Sequence, residues 1–346
     1  MAEKRDNTEK VKRIEDYRQT KPPQLDLFQH IPLKDDAARY SNLMNFYDTI
    51  PKYVDHTPKR EAGKYLPELE REFMYQAKKY KVRLNPARVQ DKDGNGIEYY
   101  PGKKEEIIED ALRKIAMKSG SDFMFFDEQA GIRFTLYQLQ KELKENKCSA
   151  SIDEIKHSLK ICAKSVMEIE PQDGGKDEFT LIAPLFQTLL LNDRTQYEDG
   201  NKWCFARFHP LVTRAIQKKA FRLYDYKKGM ALKSTLSSYI FKRLSFNFTQ
   251  ASLWQPYGIL LTTLVRDAGL DPDQPLWRNF EKVKKAVAEL QKQKVVEEAI
   301  YEREKAGRKL VEVKITLTTT HEFSSTIKAA NYSKNKILEK GGSWKK

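Results

Sequence analysis

One order of predicted elements occurs twice along this chain, and it restricts the possible folds more than any other feature of the sequence. In the first half the helical segments are KKEEIIEDALRKIAMKSG, FTLYQLQKEL and SASIDEIKHSLKICAKSV, the last opened by the capping box Ser151-x-x-Glu154. Two strand-like segments follow, VMEIEP and EFTLIAPLF, on either side of the turn QDGGKD. The first half therefore predicts three helices and then a β-hairpin.

The same order returns after Ala231. The segment LKSTLSSYIFKRL predicts a helix, and ILLTTLVRDAGL predicts a short strand and a helix that ends at Gly269. The next helix, PLWRNFEKVKKAVAELQKQ, has Pro275 at its first position, where proline is tolerated. VVEEAIYERE and KLVEVKITLT then flank a KAGR turn as a second hairpin. The similarity of the two halves rests on their element order, because their direct residue identity is slight.

Helices followed by a hairpin are the order of a winged helix-turn-helix. We therefore predict an α+β fold with two tandem winged-helix domains (helix-turn-helix plus β-hairpin) behind a flexible N-terminal leader, in which Pro22, Pro23 and Pro32 discourage long elements. A helix is expected before Lys81, followed by strands VRLNPARVQ and GIEYYP around the turn DKDGNG. The predicted boundaries are 1–50 for the leader, 51–210 for the first domain, 211–230 for a basic joining helix, 231–320 for the second domain and 321–346 for a basic tail.

The charge of the chain points to a polyanionic partner. The formal net charge is +14 and the pI is near 9.3, and clustered Lys and Arg gain free energy by releasing counterions from phosphates. From Leu211 to Ser245, nine Lys or Arg stand against the single acid Asp225, whereas a solvated helix face usually carries both signs. Nucleic acid is the favoured partner, and this stretch is expected to contact phosphates.

Several other classes of protein are disfavoured. The longest apolar run, 181–191, is interrupted by Pro184 and is shorter than the roughly 20 residues of a membrane helix, so no membrane contact and a cytoplasmic location are expected. Cys148, Cys162 and Cys204 lack the spacing of a zinc site. The chain has no GxxxxGK[ST] phosphate loop, and its five histidines form no HxH cluster. We therefore predict no catalytic residues, no cofactor and no metal.

The third helix of each half has an apolar stripe and a basic back. In the second half the stripe spans roughly 80° of the helix, and Arg278, Lys282, Lys285 and Lys292 cluster opposite it. A helix placed between a helix-turn and a hairpin is the recognition helix of this fold, which lies in the major groove. The second helix is therefore expected to contact DNA. For the first helix, with His157, Lys160 and Lys164 opposite its stripe, DNA contact and an ordinary solvated face remain open.

The turn of the second hairpin is also basic. Lys305, Arg308 and Lys309 could reach phosphates or the minor groove beside the helix, with an ordinary polar turn as the alternative. Trp277 and Tyr301 are expected to be packing residues rather than platforms for base stacking.

At this point the chain resembles the iteron-binding replication initiators of bacterial plasmids, and among them the TrfA-like proteins. The resemblance covers roughly residues 20 to 320 in element order. It is carried by QLDLF, DDAARYSNLMNF, VQDKDGNGIEYY, FTLYQL with SIDEIKHSLKICA, and the terminal winged-helix pattern. The chain departs from the TrfA pattern in a tail after His321 with six Lys and two Glu, which puts the end of the second domain in doubt.

The resemblance implies an initiator that binds directly repeated sites at a plasmid origin, mainly through the second domain, while the first domain supplies DNA backbone contacts and a dimer interface. Bound monomers of such proteins help open an AT-rich segment, contact single-stranded origin DNA, and recruit DnaA and the replicative helicase; dimers are generally inactive. For this chain the resemblance implies that Arg278, Lys282 and Lys285 contact the bases. Phosphate contacts fall to Lys156, Lys160, Lys164, Arg214, Lys218, Lys219, Arg308 and Lys309.

The segment QLDLF looks like the pentapeptide by which many bacterial proteins dock on the replicative sliding clamp. Its Gln can donate hydrogen bonds at the mouth of a groove, its last Leu and Phe can fill an apolar pocket, and the prolines before it lower the entropy lost on docking. The alternative is that it folds back on the first domain. The implied clamp-binding residues are Gln24, Leu25, Asp26, Leu27 and Phe28.

Two other functions compete with replication initiation. A transcriptional regulator of the winged-helix type explains the DNA-binding features but leaves QLDLF without a role. A nickase or a recombinase would need the His or Tyr patterns that this sequence lacks.

Overall fold

The computed structural model describes a mixed α/β fold over residues 39–55, 65–90, 94–118, 123–126, 129–173, 180–192, 203–218, 220–248 and 255–341. The helices are α1 Lys103–Lys118, α2 Leu136–Glu145, α3 Ile152–Lys164, α4 Pro210–Gln217, α5 Tyr226–Met230, α6 Thr235–Asn247, α7 Leu261–Asp267, α8 Leu276–Lys292 and α9 His321–Gly341. The strands are β1 Tyr40–Met44, β2 Leu69–Tyr75, β3 Lys78–Leu84, β4 Ala87–Gln90, β5 Gly96–Tyr99, β6 Phe123–Phe126, β7 Gln129–Phe134, β8 Val166–Pro171, β9 Leu181–Pro184, β10 Phe186–Leu190, β11 Cys204–Phe208, β12 Phe221–Asp225, β13 Tyr257–Leu260, β14 Val296–Ala306 and β15 Lys309–Thr319.

The predicted helices and hairpin of the first half are confirmed. α2 and α3 are consecutive, but the β6–β7 hairpin, which the sequence pattern did not predict, lies between α1 and α2. β8 pairs with β9 in antiparallel register. The capping box at the start of α3 is formed as predicted: the Ser151 hydroxyl accepts from the Glu154 N–H, and the Glu154 carboxylate accepts from the Ser151 N–H. β8 and β9 also belong to a larger sheet, in the order β2-β3-β8-β9.

The helix expected before Lys81 is wrong, because that segment is a hairpin. β2 and β3 pair in antiparallel register, and Phe73 and Val82 are buried. The chain turns through Gln76 and Ala77, both at positive φ (49° and 63°). Such two-residue turns usually carry Gly, Asn or Asp. Because Gln76 and Ala77 are none of these, the sequence does not predict this turn. The predicted β4–β5 pairing is confirmed.

The leader predicted over 1–50 is too long, because its last part belongs to the core. β1 pairs with β12 along its full length, and Leu43, Met44 and Tyr47 are buried. The partner strand lies about 180 residues later in the sequence, so no local sequence pattern predicts this pairing. Residues 24–28 lie outside the described part of the chain.

The joining helix predicted over 211–230 is replaced by a helix, a strand and a short helix. α4 begins at Pro210 with His209 as its N-cap. The chain then forms β12, whose five residues are all buried, and turns into α5. A continuous helix would have removed the pairing partner of β1 from the core.

The elements predicted for the second half are confirmed. α6, β13, α7, α8 and the β14–β15 hairpin follow in order, and β13 completes a three-stranded sheet in the order β13-β15-β14. Gly269 ends α7 with a φ of +67°, and a Cβ there would lie 2.6 Å from the Arg71 side chain. Pro275 is the N-cap of α8 rather than its first helical residue.

The tail predicted from residue 321 contains a packed helix. α9 buries Phe323, Ile327 and Ala330, which recur at the helical spacing of four and three residues. The Phe323 ring lies 6.0 Å from the Phe241 ring of α6. The basic composition of this segment obscured an apolar stripe that the sequence does contain.

One hydrophobic cluster runs through both halves of the described structure. Polar contacts also join them: Lys242 of α6 pairs with Glu106 and Asp110 of α1, each at 2.9 Å. The Asp267 carboxylate accepts from the Met74 N–H at 3.0 Å. The two predicted domains therefore share a buried junction.

Candidate nucleic-acid interface

Helix α8 presents a basic face to solvent because its apolar stripe is buried. Phe280, Val283, Val287 and Leu290 are buried, together with Ala286 and Asn279. The four basic residues predicted on the opposite side are exposed: Arg278, Lys282, Lys285 and Lys292. Within the described structure none of the four forms an ion pair, and Lys282 donates only to the neutral Gln274 side chain, at 3.1 Å.

The acids of α8 do not neutralise this face. Glu281 is engaged by Lys284 at 2.6 Å. Glu289, which falls on the same side as Arg278, accepts from the Lys233 N–H and from the Ser237 hydroxyl at the start of α6, both at 2.5 Å. The positive charges of the face are therefore left for an external anion.

The contact at Glu289 adds basic residues that the sequence did not assign to this helix. Lys233 is exposed and its backbone touches the α8 face. Lys228 of α5 also lies beside the end of this helix, because its Nζ donates to the Lys294 carbonyl at 2.9 Å, but its charge is paired with Glu322 at 3.3 Å. The excess of Lys and Arg over 211–245 was a sequence signal for Lys233, but only the fold places it against α8.

The β14–β15 hairpin is basic at its tip and mixed in charge along its stem. Lys305, Arg308 and Lys309 are exposed around the turn, where Gly307 adopts a φ of +61°. Lower down, Lys314 pairs with Glu302 at 3.2 Å. The predicted contact residues are thus displayed at the end of two 11-residue strands.

The two aromatic residues of this region differ in their environment. Tyr301 packs edge-on against Phe280, with ring centroids 5.3 Å apart, as a packing residue should. Trp277 is 55% exposed, so its prediction as a packing residue is wrong. The Arg278 guanidinium lies 5.4 Å from the centre of its ring.

Helix α3 does not offer a comparable open face. Ile161, on the side away from the main core, is 3% exposed because it packs against Ala87 and Val89 of β4. His157 meets the Tyr99 ring edge-on at 4.9 Å. The β4–β5 hairpin thus covers part of the side that a groove would require. Phosphate contact by Lys156, Lys160 and Lys164 stays a prediction, and the Lys164 Nζ donates to the Arg88 carbonyl at 3.2 Å.

The basic stretch 211–245 is divided between surface and interior. Arg214 and Lys218 are exposed, as phosphate contacts require, and Lys219 lies outside the described residues. Arg222 is buried and donates to the Phe246 carbonyl at 3.0 Å. Lys242 pairs with Glu106 across the junction of the two halves, and Arg243 pairs with Asp267 within the second half. The expectation that the whole stretch contacts phosphates is therefore wrong for its buried members.

In the described ranges no three His, Cys, Asp or Glu side chains group as a metal site would. None of the described helices combines the length and apolar character that crossing a membrane requires.

Comparison with known proteins assigns no family. No protein-family model matches the sequence, and no curated protein matches it. The chain is similar to a solved structure of domains 2 and 3 of RctB, with a TM-score of 0.49 and 8% identity over 78% of this chain and 95% of that one. A second structure of RctB domains 2-3 gives 0.46 and 8% over 81% and 99%. The Pi initiator protein in complex with iteron DNA gives 0.31 and 14% over 63% and 94%. TM-scores below 0.5 at such identities decide neither family nor function.

Proposed function

We propose that this chain is a plasmid replication initiator that binds directly repeated sites in double-stranded DNA. The observation that carries the proposal is the basic face of α8, which is exposed, unpaired with acids in the described structure and followed directly by a hairpin with a basic tip. A surface of this charge gains free energy by displacing the counterions of DNA.

In this proposal each half is a winged-helix unit, with α8 as the recognition helix of the second unit and the β14–β15 hairpin as its wing. The recognition helix of such a unit lies in the major groove and the wing lies alongside. Arg278 donates two hydrogen bonds to a guanine, and Lys282 and Lys285 donate to neighbouring base edges or phosphates. Lys292, Lys305, Arg308, Lys309 and Lys233 bind the DNA backbone.

The first unit has a supporting role in this proposal. Arg214 and Lys218 are exposed and can approach phosphates, whereas the β4–β5 hairpin covers part of the side of α3 that would face a groove. The first unit also supplies the surface by which monomers and homodimers interconvert.

The replication role rests on the segment 24–28. As a clamp-docking peptide it would bring the host sliding clamp to the origin, while bound copies of the protein help open the AT-rich segment and recruit DnaA and the replicative helicase. Binding energy suffices for these steps, and no cofactor or chemical reaction on the DNA is required.

Selection of binding sites from random duplexes, followed by footprinting on the DNA that flanks the gene, tests the proposal. We expect one preferred sequence and several copies of it in direct repeat beside an AT-rich segment. Absence of any sequence preference at physiological salt would exclude the function.

Deletion of residues 24–28 separates initiation from transcriptional regulation. An initiator should lose clamp binding and plasmid maintenance while its DNA affinity is retained. A transcriptional regulator should lose neither its DNA affinity nor its effect on a promoter.

A further inference from the structure

Trp277 is a large apolar side chain that the fold leaves in solvent. It lies in the first turn of α8 and is 55% exposed. Leu276, its neighbour in sequence, packs on the hydrophobic cluster, and Trp277 does not. Burial of so large an apolar ring would stabilise the fold. Its exposure is therefore expected if the ring is buried against a binding partner instead.

The ring also constrains Arg278. The guanidinium carbon lies 5.4 Å from the indole centre, within the range in which a cation is attracted to an aromatic face. Arg278 forms no ion pair with a described residue, so the ring is the contact that orients its guanidinium group. The planar guanidinium group of Arg278, a hydrogen-bond donor, and the apolar indole ring of Trp277 therefore lie side by side.

The major groove of DNA contains one apolar group that an indole ring could contact. Each base pair presents hydrogen-bonding atoms there, and thymine adds its 5-methyl group. Trp277 precedes Arg278 in the first turn of α8, and the N-terminal residues of a recognition helix are the ones that contact base edges, so a base pair beside the guanine is within reach of its ring.

Resting on the proposed function, we propose that Trp277 packs against the 5-methyl group of a thymine adjacent to the guanine that Arg278 contacts. The pair thus recognises a step of guanine and a 5-methylpyrimidine. Trp277 determines specificity through apolar contact, and Arg278 does so through hydrogen bonds.

Replacement of thymine by uracil tests this contact, since it removes only the methyl group. In the selected duplex each thymine is replaced singly by deoxyuridine, and binding is measured by fluorescence anisotropy. For the unmodified protein we expect one thymine, next to the conserved guanine, at which the replacement weakens binding about threefold to fivefold, the effect of one buried methyl group. In Trp277→Ala the same replacement should have no effect, because the ring that senses the methyl group is gone.

Tyr65→Ala is a matched control. Tyr65 is 63% exposed, and the Arg88 guanidinium lies 5.1 Å from its ring, so the variant removes an equivalent stacked pair far from α8 in the sequence. Its response to deoxyuridine should equal that of the unmodified protein. Circular dichroism should give all variants the same helix content.

The outcomes distinguish this inference from the function on which it rests. If a preferred sequence is selected but deoxyuridine weakens binding at no position, or weakens it equally in Trp277→Ala, the methyl contact does not exist while the DNA-binding function stands. The first of these results would include stacking of the ring on an unpaired base, which is indifferent to the methyl group. If no sequence is selected at all, both the function and the contact are refuted.

Discussion

At the scale of single residues, His209 shows how burial decides protonation. The ring is 0% exposed, caps α4 by accepting from the Leu211 N–H at 3.2 Å, and lies 5.2 Å from the Tyr47 ring. Burial, with a smaller effect from the charge of Lys52, lowers the pKa of His209 to about 3. The folded protein therefore holds this histidine neutral at neutral pH and in mild acid.

This burial predicts a loss of stability in mild acid. A group whose pKa is lower in the folded state favours folding most above its unfolded pKa, and that advantage disappears as the pH falls from about 6.5 towards 3. His209 alone should lower the free energy of unfolding by about 2 kcal/mol between pH 7 and pH 5. His209→Asn keeps a capping side chain without a titrating group, so urea titrations should show a smaller difference between the two pH values. An unchanged difference would mean that His209 is not the group responsible.

A second residue-scale prediction concerns Arg278. A bidentate contact to guanine is worth about 1–3 kcal/mol of discrimination against other bases. Arg278→Ala should weaken binding to the selected site by that amount and accept any base at one position. Lys309→Ala at the hairpin tip should instead weaken all sequences alike. Equal losses on the selected site and on its guanine variant would contradict base contact by Arg278.

At the scale of elements, the β14–β15 hairpin separates a basic tip from a mixed stem. In Lys305→Ala/Arg308→Ala/Lys309→Ala the slope of log binding constant against log salt should fall by up to about three, because each phosphate contact contributes about 0.9. Thermal unfolding should not change, since all three side chains are exposed.

Lys314→Ala is the matched control for the hairpin. Lys314 is an exposed stem lysine paired with Glu302, so its removal should leave the salt dependence as it was. If the triple variant also kept the original slope, the hairpin tip would not contact DNA.

The element scale also shows what sequence patterns can predict. Helices α1, α2, α3, α6 and α8 and the β14–β15 hairpin were predictable, because their signals are local: capping residues, apolar periodicity and a glycine turn. The β2–β3 hairpin was missed because Gln76 and Ala77 are unusual turn residues, although both are at positive φ. Prediction therefore failed where a local rule is overridden by tertiary structure.

At the scale of the whole molecule, buried charges connect the two halves. Lys242 of α6 lies between Glu106 and Asp110 of α1, and all three side chains are buried. Burial alone would raise the pKa of Glu106, but the charges of Lys103 and Lys242 lower it to about 2. Asp110 and Glu106 likewise overcome burial and raise the pKa of Lys242. The halves should therefore unfold in one transition.

Loss of one partner from this cluster should be costly. Lys242→Met removes the cation that Glu106 and Asp110 share and leaves each with its second partner, Lys103 or Arg113. Removing one partner of a buried ion pair typically costs about 3–5 kcal/mol. Adding Glu106→Gln should recover part of that loss, because the two sites are coupled. Guanidinium titrations of both variants measure these changes, and Lys141→Met on the exposed side of α2 should change stability by no more than about 0.5 kcal/mol. A loss no larger than this control would show that the cluster does not hold the halves together.

The same cluster adds to the acid sensitivity of the molecule. The pKa of Glu106 is lower in the folded state, so its contribution is complete above about pH 4.5 and is lost as the pH falls towards 2. In Lys242→Met the free energy of unfolding should depend less on pH in this range, because one of the charges that lower the pKa of Glu106 is gone. Denaturant midpoints measured from pH 5 to pH 3 test this, with the His209→Asn background removing the histidine contribution.

The sequence by itself determined the local elements, the amphipathic character of α8 and the excess of positive charge, because these depend on residues within a few turns of one another. Only the tertiary structure decided which charges remain outside. It buried Lys242 and Arg222, brought Lys233 to the α8 face, covered one side of α3 with a hairpin and left Trp277 in solvent. It also paired β1 with β12 across about half of the chain. Partners so distant in sequence leave no periodic signal, since their pairing is favourable only once the rest of the core has brought them together.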